Sequence, residues 1–326
     1  MSNVKLEEIS ELELRAREPF NFKYSVYKPS HFPTGLEYYD NSSDEFYRAL
    51  KLSRSKVVGL RMKNLRTVTG EDGIFVKLYS NENLNEEDIT LVKEHITRSY
   101  GLDEDMLGFY DHFKNNEKIM EAITALYGMR NSCFENLFEI LNISLLLQNA
   151  TVKRSEGMMK AMLSNFGDIV EYNGVKLYVF YTPYSVAGSS ETKLRSLGVG
   201  YRAKFLMSIA KYFVEHPDFE ESLKRLPFKD VKADLIRLKG VGPYSAGVVL
   251  FAYFRDADSL SLDTWNWKLL SKFVFEHECV SYEKLKEVCK AKWSPYKGYV
   301  GLYITEYQFV KDPALQYWRE KHGSKF

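Results

Sequence analysis

The chain has 326 residues, 45% of them apolar and 27% charged, the balance of a globular protein long enough for two or three domains. Its formal net charge of +1 conceals segregation: residues 81–106 sum to −6, whereas 193–211 carry five bases and no acid and 224–239 sum to +4. The most apolar stretch, Leu137 to Leu147, is interrupted by Glu139, Asn142 and Ser144 and is too short to span a bilayer; no CxxC or HExxH occurs among three cysteines and six histidines. With the polar, acidic start MSNVKLEEISELELRARE, which is neither signal nor transit peptide, these features predict an intracellular protein without a disulfide framework or transition-metal cage.

The first third mixes strands and helices. FNFKYSVYK (20–28) and KVVGLRMKN (56–64) are rich in aromatic and β-branched residues and are expected as strands. RTVTGEDGIFVKLYS reads as a hairpin: a short strand, a turn over Gly70 to Gly73, and a second strand in which Ile74, Val76 and Leu78 alternate with Phe75, Lys77 and Tyr79. A helix capped by Asn85, with Asp88 three residues on, presents Ile89, Val92 and Ile96 on one face and stops near Gly101. Beyond about residue 115 helical spacing dominates, near 117–126, 133–148, 151–166, 202–214, 231–238, 244–254, 263–275 and 281–291. Breaks fall at Gly128, Gly167, Gly198-Val-Gly200, Pro217, Gly240-Val-Gly242 and Pro295. The expected class is α+β: an N-terminal antiparallel sheet-and-helix domain (1–115) followed by a mainly helical domain (116–326).

Two basic runs flank glycine turns, which points to a polyanion footprint in the later part of the chain. In LKGVGPYSAG (238–247), glycines permit positive φ without a Cβ penalty. Amides of such a turn and of the next helix's first turn can face a phosphate, with Lys239 beside them and Pro243 suited to the first helical position. The bland alternative is a packed helix–helix turn. A dinucleotide loop is disfavoured because no strand precedes it and GxGxxG is incomplete.

The continuation VVLFAYFRDADSLSLDTWNW resembles the helix-hairpin-helix DNA glycosylases, whose hairpin is followed by a Gly/Pro-rich loop and an aspartate. Leu238 to Ala246 is similar to the hairpin, and Asp263, 21 residues after Gly242, falls where that family keeps its catalytic aspartate. LGVGYRAK (197–204), FYTPYSVA (180–187), LLLQN (145–149) and WSPYKGY (293–299) resemble further family segments in order, so the similarity covers roughly residues 60–310.

The resemblance implies a helical glycosylase domain and these roles. Asp263 stabilises an oxocarbenium-like sugar and orients or deprotonates water; a lone aspartate at a helix start also reads as an N-cap, and the two roles coexist. The lysine nucleophile of bifunctional members is replaced by Tyr244, which implies a monofunctional enzyme and an aromatic plate suited to a cationic alkylpurine, or a packing residue of the hairpin. Trp265, Tyr299 and Tyr303 are expected to complete the base pocket. Gln148 or Asn149 is the expected wedge, beside Tyr201. Arg154 and Arg202 are expected at the orphan base, as in 8-oxoguanine glycosylases, or on phosphate. Lys239, Gly240, Val241, Gly242 and Ser245 are expected to meet the DNA backbone. No cofactor is implied; a structural monovalent cation at the carbonyls of Ile236, Leu238 and Val241 is. The iron–sulfur branch is excluded, since it needs four C-terminal cysteines. The implied partner is duplex DNA carrying a damaged base, bound by a monomer with no membrane association. The alternatives are an 8-oxoguanine glycosylase with lyase activity and a non-catalytic DNA-binding module.

Overall fold

A computed structural model of the chain describes residues 3–31, 34–53, 56–276, 279–312 and 314–315. After β1 (Asn3–Lys5) the chain enters β2 (Glu7–Arg15), a short helix α1 (Phe22–Val26), and the strands β3 (Glu37–Asp40), β4 (Glu45–Lys51) and β5 (Val57–Asn64). A helical turn α2 (Arg66–Thr69) leads to β6 (Gly73–Ser80), giving a five-stranded antiparallel sheet in the order β2-β6-β5-β4-β3. Period-two alternation puts Val58, Leu60 and Met62 of β5 beside Ile74, Val76 and Leu78 of β6 on one fully buried face. The helix α3 (Glu86–Tyr100) covers that face with Val92 and Ile96; the expected Asn85/Asp88 capping box is present and Gly101 ends the helix at φ 55°.

Two strand expectations fail here for local reasons. Residues 22–26 are helical: Asn21 caps Tyr24, and one helical turn is enough to put Phe22 and Val26 into the sheet core, overriding their β preference. Residues 66–69 are also helical, so β6 pairs with 57–64 across a helical turn closed by Gly70 at φ 84°.

The chain continues through α4 (Met106–Phe113), α5 (Glu117–Ala125), α6 (Leu137–Leu147) and α7 (Val152–Phe166). A hairpin of β7 (Asp168–Tyr172) and β8 (Val175–Val179) follows, turning through Asn173 and Gly174, both at positive φ. Strands therefore recur well past residue 115, and β7 pairs in parallel with β1 from the other end of the domain. This small sheet lies against the second face of the large one. The Tyr172 ring occupies the space a Cβ at Gly59 would need, and its hydroxyl donates to the carbonyls of Arg48 and Leu60 at 2.7 and 3.0 Å.

The remaining helices are α8 (Pro183–Ala187), α9 (Glu191–Leu194), α10 (Ala203–Glu215), α11 (Phe219–Leu223), α12 (Phe228–Arg237), α13 (Pro243–Ala252), α14 (Thr264–Phe275), α15 (Tyr282–Trp293) and α16 (Lys297–Lys311). One helical core joins α6, α7, α10, α12 and α13. A separate core joins α14, α15 and α16 to α4 and α5, so the expected division at 115/116 runs between two helices that share one core. Among the described residues no helix is long and apolar enough to cross a membrane.

Candidate active site and nucleic-acid interface

The hairpin between α12 and α13 is set by packing on one side and openness on the other. Gly240 takes φ 94°, and a Cβ there would lie 2.5 Å from the Phe205 ring of α10. Val241 is buried, and its amide donates to the Leu238 carbonyl at 3.0 Å. Gly242 differs from expectation: its φ of −96° is open to any residue, and a Cβ there would meet nothing within 4 Å. What glycine provides at 242 is an N-cap without a side chain, so the first amides of α13 have no capping group and face open space. Pro243 occupies the first helical turn and Lys239 is exposed beside it.

The end of α6 is tied to this hairpin. Gln148 Nε2 donates to the Gly240 carbonyl at 2.9 Å and to Ser245 Oγ at 3.2 Å. Ser245 is buried and Gln148 half-buried, and both side chains brace the hairpin. Arg202 is only 1% exposed. Its guanidinium donates to the carbonyls of Leu145 (3.0 Å) and Gln148 at the end of α6 and to that of Val199 (3.4 Å) before the Gly200 turn. The expectation that Arg202 reads an orphan base or a phosphate is corrected: it closes α6. The outward residues are Asn149, at φ 47°, and Tyr201, 40% exposed; Asn149 Nδ2 donates to the Tyr201 hydroxyl at 3.3 Å. Arg154 is exposed on the first turn of α7, with Nη2 3.9 Å from the Cβ position of Gly200.

Asp263 stands at the N-terminus of α14. Its Oδ1 accepts from the Asn266 amide at 2.7 Å, and the residue is exposed. Ser261 Oγ donates to the Tyr244 carbonyl at 3.1 Å, which binds the approach to Asp263 to the first turn of α13. The Tyr244 ring is 39% exposed; burial and then the Asp263 carboxylate push its hydroxyl well above the usual range, so it stays a neutral donor. Trp265 packs on Phe309 of α16, centroids 5.6 Å apart, and Thr305 Oγ1 donates to Asn266 Oδ1 at 3.2 Å. Asn266, Thr305 and Phe309 escape sequence reasoning, because only the fold brings α16 against α14.

Tyr299 and Tyr303 do not join this group. Both are buried in the α4/α16 core: the Tyr299 hydroxyl donates to Glu104, and that of Tyr303 to the Met129 carbonyl at 2.7 Å. Each ring packs on Phe109, so their expected place in a base pocket gives way to core packing. The assembled site is thus an exposed carboxylate beside a neutral phenol, next to uncapped helix amides, a lysine and an outward Asn/Tyr pair. Such a set can grip a polyanion and stabilise a developing cation.

Residues 143–295, from α6 to the approach to α16, match the model of the HhH-GPD superfamily base excision DNA repair proteins. The DNA-3-methyladenine glycosylase of Bacillus subtilis is 27% identical over 173 residues, 53% of this chain and 57% of that protein, so the match spans little more than half of this relative. A probable N-glycosylase/DNA lyase of Methanothermobacter thermautotrophicus is 22% identical over 65% of this chain and 73% of that one. In fold, the chain is similar to the 3-methyladenine DNA glycosylase of Archaeoglobus fulgidus (TM-score 0.75, 20% identity, 94% of this chain and 99% of that one). It is also similar to the 8-oxoguanine glycosylase/lyase of Clostridium acetobutylicum (TM-score 0.71, 20% identity, 94% and 100%). The family and these relatives are DNA glycosylases.

Proposed function

We propose that the protein is a monofunctional DNA glycosylase that hydrolyses the N-glycosidic bond of a damaged, alkylated purine flipped from duplex DNA. The observation that carries this reading is the juxtaposition of Asp263 with Tyr244 at the mouth of the hairpin. As the bond between C1′ and the base breaks, positive charge grows on the sugar, and the Asp263 carboxylate stabilises it. Water attacks C1′, its oxygen forms the new bond, and Asp263 accepts the proton released. A purine alkylated at a ring nitrogen already carries a positive charge, so it leaves as a neutral base and needs no proton from the protein. The neutral ring of Tyr244 attracts such a cation through its π face. Phosphates would meet Lys239, Arg154 and the first amides of α13, and Asn149 with Tyr201 would fill the gap left by flipping.

The Leu238 carbonyl takes the Val241 amide and keeps a second lone pair, so a monovalent cation shared with the carbonyls of Ile236 and Val241 is compatible with the hairpin. It would brace the turn, and duplex affinity would then depend on K⁺ at constant ionic strength. The form we infer is an intracellular monomer.

The test is excision from duplexes that each carry one lesion, with borohydride present. Base release from alkylated purines, with alkali needed for strand cleavage and no trapped adduct, supports the reading. Trapping at the rate of base release would establish a lyase with an amine nucleophile and shift the substrate to oxidised guanine. Binding without release from any lesion would leave a DNA-binding module.

A further inference from the structure

The loop of residues 253–262 carries the chain from α13 to Asp263, and it has no regular structure of its own. Near Asp263 it is held by the Ser261–Tyr244 bond and by Leu262, buried in the α14–α16 core. Midway, the Gly298 amide donates to the Ala257 carbonyl at 2.8 Å and Lys297 pairs with Asp258. In its first half Tyr253 is buried with its hydroxyl donating to Glu220, and the Asp256 amide donates to the Leu250 carbonyl at 3.0 Å. Between them stands Arg255, whose backbone sits at φ 61°, a region that long side chains seldom occupy.

The Arg255 guanidinium reaches out of the helical part of the molecule. Its Nε donates to Glu104, and its Nη1 donates to the Arg98 carbonyl in the last turn of α3 at 2.9 Å. Its Nη2 fills the space in front of Gly101, where any Cβ would collide with it. The second Glu104 oxygen accepts from the Tyr299 hydroxyl of α16, and Arg98 lies over the Tyr253 ring at 4.6 Å. Glycine at 101 therefore meets two demands at once: the left-handed end of α3 and room for a guanidinium from 154 residues away.

We propose that Arg255 is a positioning residue, through which Glu104 and the end of α3 fix the loop so that Asp263 stands at the reacting sugar. This rests on Asp263 being the catalytic carboxylate. The physical reason is that a ten-residue irregular loop samples many conformations unless anchored, and a paired guanidinium inside the protein tolerates few. A residue held at positive φ persists only where its surroundings over-determine it. The N-terminal region would then set the rate of the chemical step without touching DNA.

The test compares Arg255→Gly, which accepts the backbone angle and removes the anchor, with Glu104→Gln, which keeps the shape and removes the charge. Arg255→Lys serves as the conservative restoration. Three quantities are read on the full chain: single-turnover base release at saturating protein, Kd for a duplex holding an uncleavable abasic analogue, and amide hydrogen exchange. The expected result for Arg255→Gly is a loss in rate of about 10²-fold with Kd unchanged. Exchange should quicken over 256–267 and stay unaltered in α6 and α10. Glu104→Gln should lose less, and Arg255→Lys should recover part of the rate.

Unchanged rate and unchanged exchange at 256–267 in both variants would overturn the proposal. So would rate and affinity falling together with faster exchange throughout α6 and α10, the signature of a merely structural residue. If the unaltered protein releases no base from any lesion, the glycosylase reading fails by itself. The exchange pattern still decides whether Arg255 holds the loop.

Discussion

Single side chains here divide into those that face out and those that close the fold. Asp263 has one oxygen on a backbone amide, so Asp263→Asn keeps size and the cap while removing the charge. The expected result is a fall in single-turnover base release of about 10³-fold or more, with affinity for abasic-analogue duplex retained. Near-normal turnover would remove Asp263 from the chemistry. The two arginines make a sharper contrast. Arg202→Ala strips the α6 C-terminus of its donors and should cost about 2–3 kcal/mol of stability in a denaturant melt. Arg154→Ala, at an exposed position, should shift stability by less than about 0.5 kcal/mol and weaken binding to all duplexes alike. Equal stability losses for the two would contradict the placement of Arg202. No sequence pattern separates these arginines, because burial depends on where α6 ends relative to the turn at Gly200.

At the level of elements, the hairpin was largely legible: glycine spacing, Pro243 and the flanking bases all point to it. The difference between its two glycines was not, since only the approach of Phe205 shows which one is confined. Gly240→Ala should destabilise the protein by about 1–3 kcal/mol, because it meets both a positive φ and an aromatic ring. Gly242→Val should melt close to the unaltered protein and yet lose duplex affinity, since its side chain would cover the open amides. Loss of stability at 242 without loss of affinity would reverse these assignments. Helix α6 supplies a pH effect. Burial, and then the neighbouring Glu135 carboxylate, push Glu139 up to about 8, above its ordinary value of 4.5. The folded state therefore holds a proton there that the unfolded chain has lost, so stability from this group is present below 4.5 and drains away as pH rises through 8. Glu139→Gln keeps the capping box with Asn136 and should flatten stability between pH 6.5 and 8, as followed by thermal melts. An unchanged slope in that window would place the Glu139 proton elsewhere.

For the whole molecule, the helical periods of α5, α7, α10, α14 and α15 could be read along the chain, because each has an apolar face of its own. The β7–β8 hairpin could have been read from Asn173-Gly174 between alternating apolar residues. What no local pattern reveals is that this hairpin covers the second face of the N-terminal sheet, or that α4 and α5 belong with α14 to α16. The family segment 143–295 is for that reason incomplete as a folding unit. Expressed alone, or as 116–326, it should lack fixed tertiary structure, with near-UV circular dichroism lost and exposed apolar surface binding dye. A sharp cooperative melt from either piece would show that its cores close without the first 115 residues.

The pairing of β1 with β7 also bears on how the protein comes into being. Residues 3–5 find their partners only at 169–171, so β1 must wait for about half of the chain to be made after it. At ordinary rates of synthesis that interval is on the order of ten seconds. During it, β1 and the outer side of the large sheet remain uncovered, a surface open to strand-pairing with other nascent chains. The mainly charged face of β2 (Glu8, Glu11 and Glu13) gives the emerging edge electrostatic repulsion against its own copies. Yield in a cell should accordingly respond to the pace of translation between about residues 15 and 170.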